Sequence, residues 1–412
     1  MKNHVLTPTT CLGLLTAMLI PGVSQSAETT SLKDAYKEHF YVGVAINRSI
    51  AENLHNSEQV NKHIAVVNAQ FNQIVAENDL KWVHVHPRKG PDGYNFGPAD
   101  AFVNFGLSNN MYLVGHTLIW HNQTPNWVFQ GTNLPPGMTN GAVNTTTTNA
   151  SINNRTASWG FGQRAYNGPR ASREELLERM RDHIHTVVGR YKGKIKVWDV
   201  VNEAISDGGT NILRNSLWLE IVGPDFIAKA FEYAHEADPD AILRYNDYSL
   251  ENPAKRRKLI ALIKSLQAQH VPVMAIGSQT HVSISSPSFE EEDKALTELE
   301  TLGLPIHITE LDVNSAQGGQ HSTSGDVSAN STTTQGGLVD DANHKQANAY
   351  AGLFRAFLKH SKSVKVVTFW GVNDGISWRA NGKPLLFDAN DQPKPAFDAV
   401  IRAATGQQSN VQ

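Results

Sequence analysis

Two glutamates, each near the end of an apolar run, are the residues of this sequence best suited to chemistry. Glu203 lies in the run KVWDVVNEA at 196–204, and Glu310 lies in the similar run PIHITELD at 305–312. A carboxylate at the end of a buried strand is costly unless it is hydrogen-bonded or neutralised. Either glutamate alone could cap the following helix or pair with an arginine. Two such runs in one chain favour a pair of carboxylates that face one cleft.

Polar and aromatic side chains also follow the other apolar runs. They are Glu77, Asn78, Lys81, His116, Trp120, Gln123, Tyr245, Asn246, Gln279, His281, Trp370 and Trp378. Indole rings stack on the apolar faces of sugar rings, and amide, imidazole and ammonium groups hydrogen-bond sugar hydroxyls. Two carboxylates supply the acid and the nucleophile of glycoside cleavage. Any one of these residues alone would be more typical of core packing, but together they favour a site for a sugar polymer.

Other kinds of site fit the sequence less well. The histidines form no HExxH pattern and no GxSxG elbow is present, so neither a zinc site nor a serine nucleophile is predicted. No cofactor is expected. The formal net charge is -3 and no block of like charge stands out, which argues against a nucleic-acid partner.

The elements that must position these residues are strands that alternate with amphipathic helical stretches. Eight strands are predicted, at 41–47, 71–78, 112–120, 196–204, 242–248, 275–281, 305–312 and 364–372. Strand–helix alternation favours an α/β fold with a parallel sheet, and eight repeats favour closure into a (β/α)₈ TIM barrel. A doubly wound open sheet is the alternative, but no Gly-rich phosphate loop follows the first strand.

Two segments interrupt this alternation. Residues 131–170 and 315–341 are rich in Gly, Asn, Ser and Thr, and they follow the third and seventh predicted strands. Loops of this length are usually functional or disordered. They are predicted to be long βα loops that rise from the catalytic face of a single domain, with or without a role in function.

The N-terminus has the layout of a cleaved secretory signal. Lys2 is followed by an apolar run at 11–20, then by Pro21 and small residues at 22–27. The run is too short to span a bilayer, so a signal peptide at 1–27 and a catalytic domain at 28–412 are predicted. A secreted or periplasmic, monomeric protein without a membrane-spanning segment is expected. The only cysteine, Cys11, lies in the signal, so the mature chain would contain no disulfide.

Six motifs in order along the chain resemble glycoside hydrolase family 10, the endo-β-1,4-xylanases. They are ENDLKW at 77–82, GHTLIWHNQTPNW at 115–127, WDVVNEA at 198–204, GSQTH at 277–281, ITELD at 308–312 and TFWGVNDGISW at 368–378. The resemblance covers nearly the whole mature chain, and the two long loops are where the chain departs from the family pattern. It implies an enzyme that hydrolyses internal β-1,4 bonds of xylan, with xylan and xylo-oligosaccharides as its ligands.

The resemblance also implies a role for each site residue in a retaining double displacement. Glu203 would be the general acid/base and Glu310 the nucleophile. Asn202 would hydrogen-bond the sugar's C2 hydroxyl, His281 would keep Glu310 ionised, and Asp312 would support His281. Tyr245 and Asn246 would face the leaving group. The remaining substrate-binding residues would form the glycone side: Glu77, Asn78, Lys81, His116, Trp120, Gln123, Gln279, Trp370 and Trp378.

Three alternatives stay open on the sequence. A related retaining enzyme could cut glucan or mannan, but bulky residues such as Trp370 and Trp378 would close the space that a hydroxymethyl group at C5 needs. A carbohydrate-binding barrel without catalysis would not need both Glu203 and Glu310. A secreted barrel of unrelated activity is the third alternative. Retention further requires carboxyl groups about 5–5.5 Å apart, so that one can attack the anomeric carbon directly.

Overall fold

Eight parallel strands close into a barrel at the centre of the protein. In the computed structural model they are β1 (Tyr41–Ile46), β2 (Gln73–Ala76), β3 (Tyr112–Gly115), β4 (Val197–Asn202), β5 (Ile242–Asp247), β6 (Ala275–Ser278), β7 (Ile306–Asn314) and β8 (Val364–Phe369). Each strand pairs with the next, and β8 also pairs with β1. The predicted (β/α)₈ barrel is confirmed. The open-sheet alternative is wrong, because the first and last strands are hydrogen-bonded to each other.

The structure describes Met1 and residues 30–53, 57–131, 166, 168–315 and 337–406. The described residues from Ser31 onward belong to one compact unit. The predicted signal peptide and most of the two predicted long loops lie outside the described residues and stay predictions. The helix that precedes β8 begins at Gly337, inside the second predicted loop.

Eight longer helices follow the eight strands. They are α1 (Glu58–Gln70), α2 (Gly97–Ser108), α3 (Arg173–Arg190), α4 (Phe226–Ala237), α5 (Pro253–Ala268), α6 (Phe289–Glu300), α7 (Gly337–Lys359) and α8 (Pro395–Thr405). Short helices span Leu32–Ala35, Arg48–Ala51, Trp82–Val85 and Leu217–Ile221. Helices α3 and α6 each begin with a serine capping box, in which serine and a glutamate three residues later satisfy each other's backbone N–H groups. The apolar residues of these helices recur every three or four positions and cover the outside of the sheet.

A polar layer lies inside the barrel below the catalytic face. Asp199 of β4 accepts two hydrogen bonds from Arg244 of β5, at 2.7 and 3.0 Å, and Arg244 also contacts His307 of β7 at 2.9 Å. His116 contacts the same carboxylate through Nδ1 at 3.0 Å. Burial raises the pKa of Asp199, but the charge of Arg244 and the bond from His116 outweigh it and hold that pKa at about 2. The barrel interior therefore carries a charge pair that is fully hydrogen-bonded.

Two predicted strands are interrupted in the structure. The run at 112–120 forms β3 and a short segment, Ile119–Trp120, because the chain between them turns inward at His116. There Thr117 donates through its hydroxyl to the main-chain oxygen of Asp199 at 2.9 Å. The run at 275–281 likewise ends at Ser278 and resumes as His281–Ser283, because Thr280 takes a left-handed backbone conformation with φ 59°.

Two further properties concern the described residues as a set. None of their helices is both long enough and apolar enough to cross a bilayer. Nor do their His, Cys, Asp and Glu side chains form a group of three or more that could hold a metal ion.

Candidate active site

Glu203 lies directly after β4, at the carboxyl end of the barrel, and its carboxylate accepts hydrogen bonds from three neutral groups. Oε1 accepts from Nε2 of Gln279 at 2.9 Å and from Nδ2 of Asn202 at 3.2 Å. Oε2 accepts from Nε1 of Trp120 at 2.8 Å. The glutamate is 6% exposed. Its partners come from three different elements, which fixes the carboxyl group in position.

Glu310 lies within β7 and is held by one neutral and one charged donor. Nδ2 of Asn246 donates to Oε1 at 2.8 Å, and Nε2 of His281 contacts Oε2 at 3.2 Å. Burial raises the pKa of Glu310, but the bond from His281 and the charges of His116 and His281 outweigh it and lower that pKa below its usual value. Glu310 is therefore an ionised carboxylate near neutral pH, which is the state that a nucleophile needs.

His281 bridges two carboxylates. Its Nδ1 contacts Oδ2 of Asp312 at 2.9 Å, while Nε2 contacts Glu310. Burial alone would lower the pKa of His281, but Asp312 and Glu310 raise it to about 9. The imidazole is therefore charged at neutral pH and donates through both nitrogens. Asp312 is held in turn by Nε1 of Trp378 at 2.9 Å and by Arg379.

Asn246 and Gln279 connect the two glutamates. Nδ2 of Asn246 donates to Oδ1 of Asn202 at 2.9 Å as well as to Glu310. The side chain of Gln279 donates to Glu203, while its main-chain oxygen accepts from the N–H of Glu310 at 3.1 Å. The structure therefore brings Glu203 and Glu310 into one continuous hydrogen-bonded network, with Asn202 inside it.

The predicted glycone residues of the second strand end lie beside this network. Lys81 donates through Nζ to Oδ1 of Asn78 at 3.0 Å and lies 5.3 Å from the ring centroid of Trp120. Burial lowers the pKa of Lys81, although the negative charges of Glu310 and Glu77 act to raise it. Burial raises the pKa of Glu77, and the charge of Lys81 opposes this. Both groups are thus desolvated, and Lys81 is charge-coupled to Glu77, Glu203 and Glu310.

The remaining predicted aromatic residues surround His281 and His116. The ring centroid of Trp378 lies 4.9 Å from that of His281, and the ring centroid of Trp370 lies 5.3 Å from that of His116, both edge to face. The main-chain oxygen of Gln123 accepts from the N–H of Val83 at 3.0 Å, so the loop after β3 is fixed to the segment that follows Lys81. Gln123 has a left-handed backbone conformation with φ 47°.

Tyr245 and Asn246, predicted to face the leaving group, are fully buried in the structure. Both have 0% exposed surface. The hydroxyl of Tyr245 accepts from the N–H of Ala204 at 2.9 Å and donates to Asp247 at 2.7 Å. Nδ2 of Asn246 donates to Asn202 and to Glu310. That these two residues face the leaving group stays a prediction. Asn246 lies on the face of β5 that contacts Asn202 and Glu310, whereas the side chain of Tyr245, its neighbour in the strand, points to the opposite face and bonds the main chain after Glu203.

Several supporting residues were not predicted. Thr309 donates to Oδ1 of Asn246 at 2.7 Å and thereby fixes which end of the amide faces Glu310. Arg379 contacts Asp312, and Arg214 donates through Nε to the main-chain oxygen of Glu203 at 3.1 Å. Thr309 and Arg379 adjoin the predicted residues Glu310 and Trp378 in sequence, which is the one signal that marks them. Arg214 lies eleven residues beyond Glu203 and carries no such signal.

The family model described as "Glycosyl hydrolase family 10" matches residues 31–403. This chain belongs to glycosyl hydrolase family 10. The family resemblance read from the six motifs is confirmed.

Individual relatives agree with the family 10 assignment. A β-1,4-xylanase of Dictyoglomus thermophilum is 35% identical over 92% of this chain and 92% of its own length. Among solved structures, a family 10 endoxylanase from a sugarcane soil metagenome superposes with a TM-score of 0.73, at 35% identity over 91% of this chain and 100% of its own. An intracellular xylanase from Thermoanaerobacterium saccharolyticum, solved as a mutant complex with xylotetraose, gives a TM-score of 0.73 at 35% identity over 90% of this chain and 98% of its own.

Proposed function

We propose that this protein is an endo-1,4-β-xylanase that works by a retaining double displacement, with Glu310 as nucleophile and Glu203 as general acid/base. The observation that carries the assignment is the difference between the partners of the two carboxyl groups. Glu310 contacts the charged imidazole of His281, which favours its ionised form. The donors to Glu203 are an indole and two carboxamides, all neutral. A pair of carboxyl groups in unlike environments suits the two different roles.

The proposed reaction has two steps. Glu310 attacks the anomeric carbon while Glu203 gives its proton to the leaving oxygen, so the glycosidic bond breaks as a glycosyl ester forms on Glu310. Glu203, now ionised, then takes a proton from water. The water oxygen attacks the anomeric carbon, the ester bond breaks, and Glu310 is released as a carboxylate. Two inversions at one carbon give net retention.

The surrounding residues serve this reaction by orientation. Asn202 lies between Glu203 and Asn246, and we assign it to the C2 hydroxyl of the sugar at the cleavage point. Hydrogen bonds to that hydroxyl strengthen as the oxocarbenium-like transition state forms. Lys81, Asn78 and Glu77 supply further donors and acceptors for the glycone hydroxyls, since they form one group beside Trp120.

Xylan is the proposed substrate for two reasons. The relatives reported above are named xylanases, and one was solved with xylotetraose. In addition, Trp370 and Trp378 close the end of the site beside His281 with bulky rings. Hydrolysis of xylan well above that of carboxymethyl-cellulose and mannan, with a mixture of oligosaccharides as early products, is the expected result. Faster hydrolysis of either hexose polymer would contradict this substrate assignment.

Substitution of the two glutamates tests their roles. Glu310→Ala should remove nearly all activity on every substrate, because no group remains to form the glycosyl ester. Glu203→Ala should lower kcat/KM for xylan by about 10²–10⁴-fold, which is the typical contribution of general acid catalysis. The same variant should keep kcat/KM for aryl xylobiosides whose leaving groups need no proton. Steady-state kinetics of the two variants measures both effects. The control is Glu236→Ala, which removes an exposed glutamate paired with Arg181 on the outer helices. Near-normal turnover by Glu310→Ala would refute the assignment.

We further propose that the protein is exported and acts as a monomer. Lys2, the apolar run at 11–20 and the small residues at 22–27 support a cleaved signal, and the family match begins only at residue 31. N-terminal sequencing of protein from the culture medium or periplasm tests the first proposal, with a start near residue 28 expected. Light scattering tests the monomeric state, and a molar mass equal to that of one chain is expected.

A further inference from the structure

The main chain at Glu203 has an unusual conformation. Its φ is 57°, in the left-handed region that residues with a side chain rarely occupy. The N–H of Glu203 donates to the main-chain oxygen of Asn246 at 2.9 Å, so the residue still belongs to the edge of the barrel. The left-handed turn then directs the chain away from β4. A conformation of this kind persists only where surrounding contacts hold it.

Two side chains hold this turn from opposite sides. Nε of Arg214 donates to the main-chain oxygen of Glu203 at 3.1 Å. The hydroxyl of Tyr245 accepts from the N–H of the next residue, Ala204, at 2.9 Å. Both bonds reach the peptide unit that joins Glu203 to Ala204. They therefore fix the rotation of that peptide, and with it the direction in which the Glu203 side chain leaves the backbone.

A charge cluster fixes these two side chains in turn. The Tyr245 hydroxyl donates to Asp247 at 2.7 Å, and Nζ of Lys255 contacts Asp247 at 2.9 Å and Asp207 at 2.8 Å. Asp207 also accepts from Arg214 at 2.9 Å. The cluster contains two cations and two carboxylates, so its charges balance. It ties the turn to β5 and to the first helical turn of α5.

We propose that Tyr245 and Arg214 are positioning residues for the general acid/base: they hold the peptide after Glu203 so that its carboxyl group points at the glycosidic oxygen. This rests on the proposed function, in which Glu203 is the acid. Tyr245 has no exposed surface, so its hydroxyl cannot act by touching the sugar. Loss of that hydroxyl should therefore impair proton donation specifically, and leave nucleophilic attack by Glu310 intact.

The leaving-group dependence of kcat/KM tests this. Dinitrophenyl xylobioside needs no proton from an acid, whereas xylotetraose does. For Tyr245→Phe, kcat/KM should fall at least ~10-fold for xylotetraose and by no more than about 3-fold for the dinitrophenyl substrate, since acid catalysis contributes only to the first. Arg214→Lys keeps the charge beside Asp207 but loses the bond that Nε makes, and should show the same split. It keeps the test decisive should Tyr245→Phe fail to fold. Equal losses on both substrates in either variant would overturn the proposal.

Two comparisons separate this inference from the function on which it rests. The control Tyr36→Phe removes another buried hydroxyl, one that donates to the main-chain oxygen of Val400 far along the chain, and should leave both kcat/KM values unchanged. Glu203→Ala, measured in the same assay, should show the largest split. If Glu203→Ala shows no split, the proposed function fails. If Glu203→Ala shows the split but Tyr245→Phe and Arg214→Lys do not, the positioning role alone is wrong.

Discussion

At the scale of single residues, the two glutamates differ through the groups that surround them. Glu310 and Asp312 share one charged imidazole, so the nucleophile's charge is balanced inside the barrel. Glu203 is held by neutral donors at similar distances. Both side chains are about equally buried. Their hydrogen-bond partners, rather than their depth, therefore assign the two roles.

The charge on His281 has a consequence for stability. Its pKa is raised from 6.5 to about 9, so the folded state binds this proton more tightly than the unfolded state. The stabilisation is fully present below about pH 6.5 and is lost as the pH rises through 9. The charged neighbours of Asp312 and Glu310 lower the pKa values of both carboxyl groups despite their burial. The contribution of these two groups to folding stability is therefore lost as the pH falls below the usual carboxyl range.

We therefore expect thermal stability to fall between pH 6.5 and 9, and expect His281→Gln to flatten this fall while lowering stability at pH 6. Thermal unfolding measured across that pH range checks the prediction. The control His185→Gln changes an exposed histidine beside Glu236 and should keep the wild-type slope. Parallel slopes for wild type and His281→Gln would contradict the account.

At the scale of elements, the ends of the strands carry the backbone conformations that aim the site residues. Glu203, Gln123 and Thr280 all have positive φ, and each follows or interrupts a run that the sequence predicted to be an uninterrupted strand. A left-handed residue with a side chain costs roughly 1–2 kcal/mol. Three such residues around one cleft show that the site is shaped by the tertiary structure rather than by local preference.

The packing of β6 against β5 gives a prediction at this scale. A Cβ at Gly277 would lie 2.3 Å from Oδ1 of Asn246, so Gly277→Ala must displace the amide that bonds Asn202 and Glu310. A misplacement of about 1 Å can cost on the order of 100-fold in rate, and a loss of that order in kcat/KM on xylan is expected.

The matched control for that variant is Gly189→Ala, on α3. A Cβ at Gly189 meets nothing within 4 Å, and alanine favours a helix interior by about 1 kcal/mol. This variant should keep full activity and gain a little thermal stability. If Gly277→Ala behaved like Gly189→Ala, the tight approach of β6 to Asn246 would not be important for catalysis.

At the scale of the whole molecule, the sequence predicted the barrel and the position of the two glutamates. The strands are buried on both faces, and the apolar, often β-branched residues that recur in them make them easy to recognise despite the polar residues between. The break after Gly115 was not predictable, because His116 turns toward Asp199, which lies 83 residues further along the chain. The burial of Tyr245 was missed for a similar reason. A polar residue at a strand end can face the cleft or the interior, and only the closed barrel decides which.

The charge pair inside the barrel gives a prediction for the whole fold. Arg244→Leu would leave Asp199 buried without its cation. We expect this variant to lower the free energy of unfolding by about 3–5 kcal/mol. Arg190→Leu breaks an exposed pair with Asp100 and should cost less than about 1 kcal/mol. Denaturant unfolding of both variants measures the difference. Similar costs would show that the interior pair does not support the barrel.

The central claim is that Glu310 attacks the sugar while Glu203 handles the proton, and the covalent intermediate tests it most directly. A xylobioside with fluorine at C2 and dinitrophenol as the leaving group should form the ester but hydrolyse it slowly, because fluorine destabilises the oxocarbenium-like transition state of the second step. Peptide mass spectrometry of the trapped protein should find the fluorosugar on Glu310. An adduct on Glu203 or another residue, or turnover with inversion at the anomeric carbon, would contradict the account.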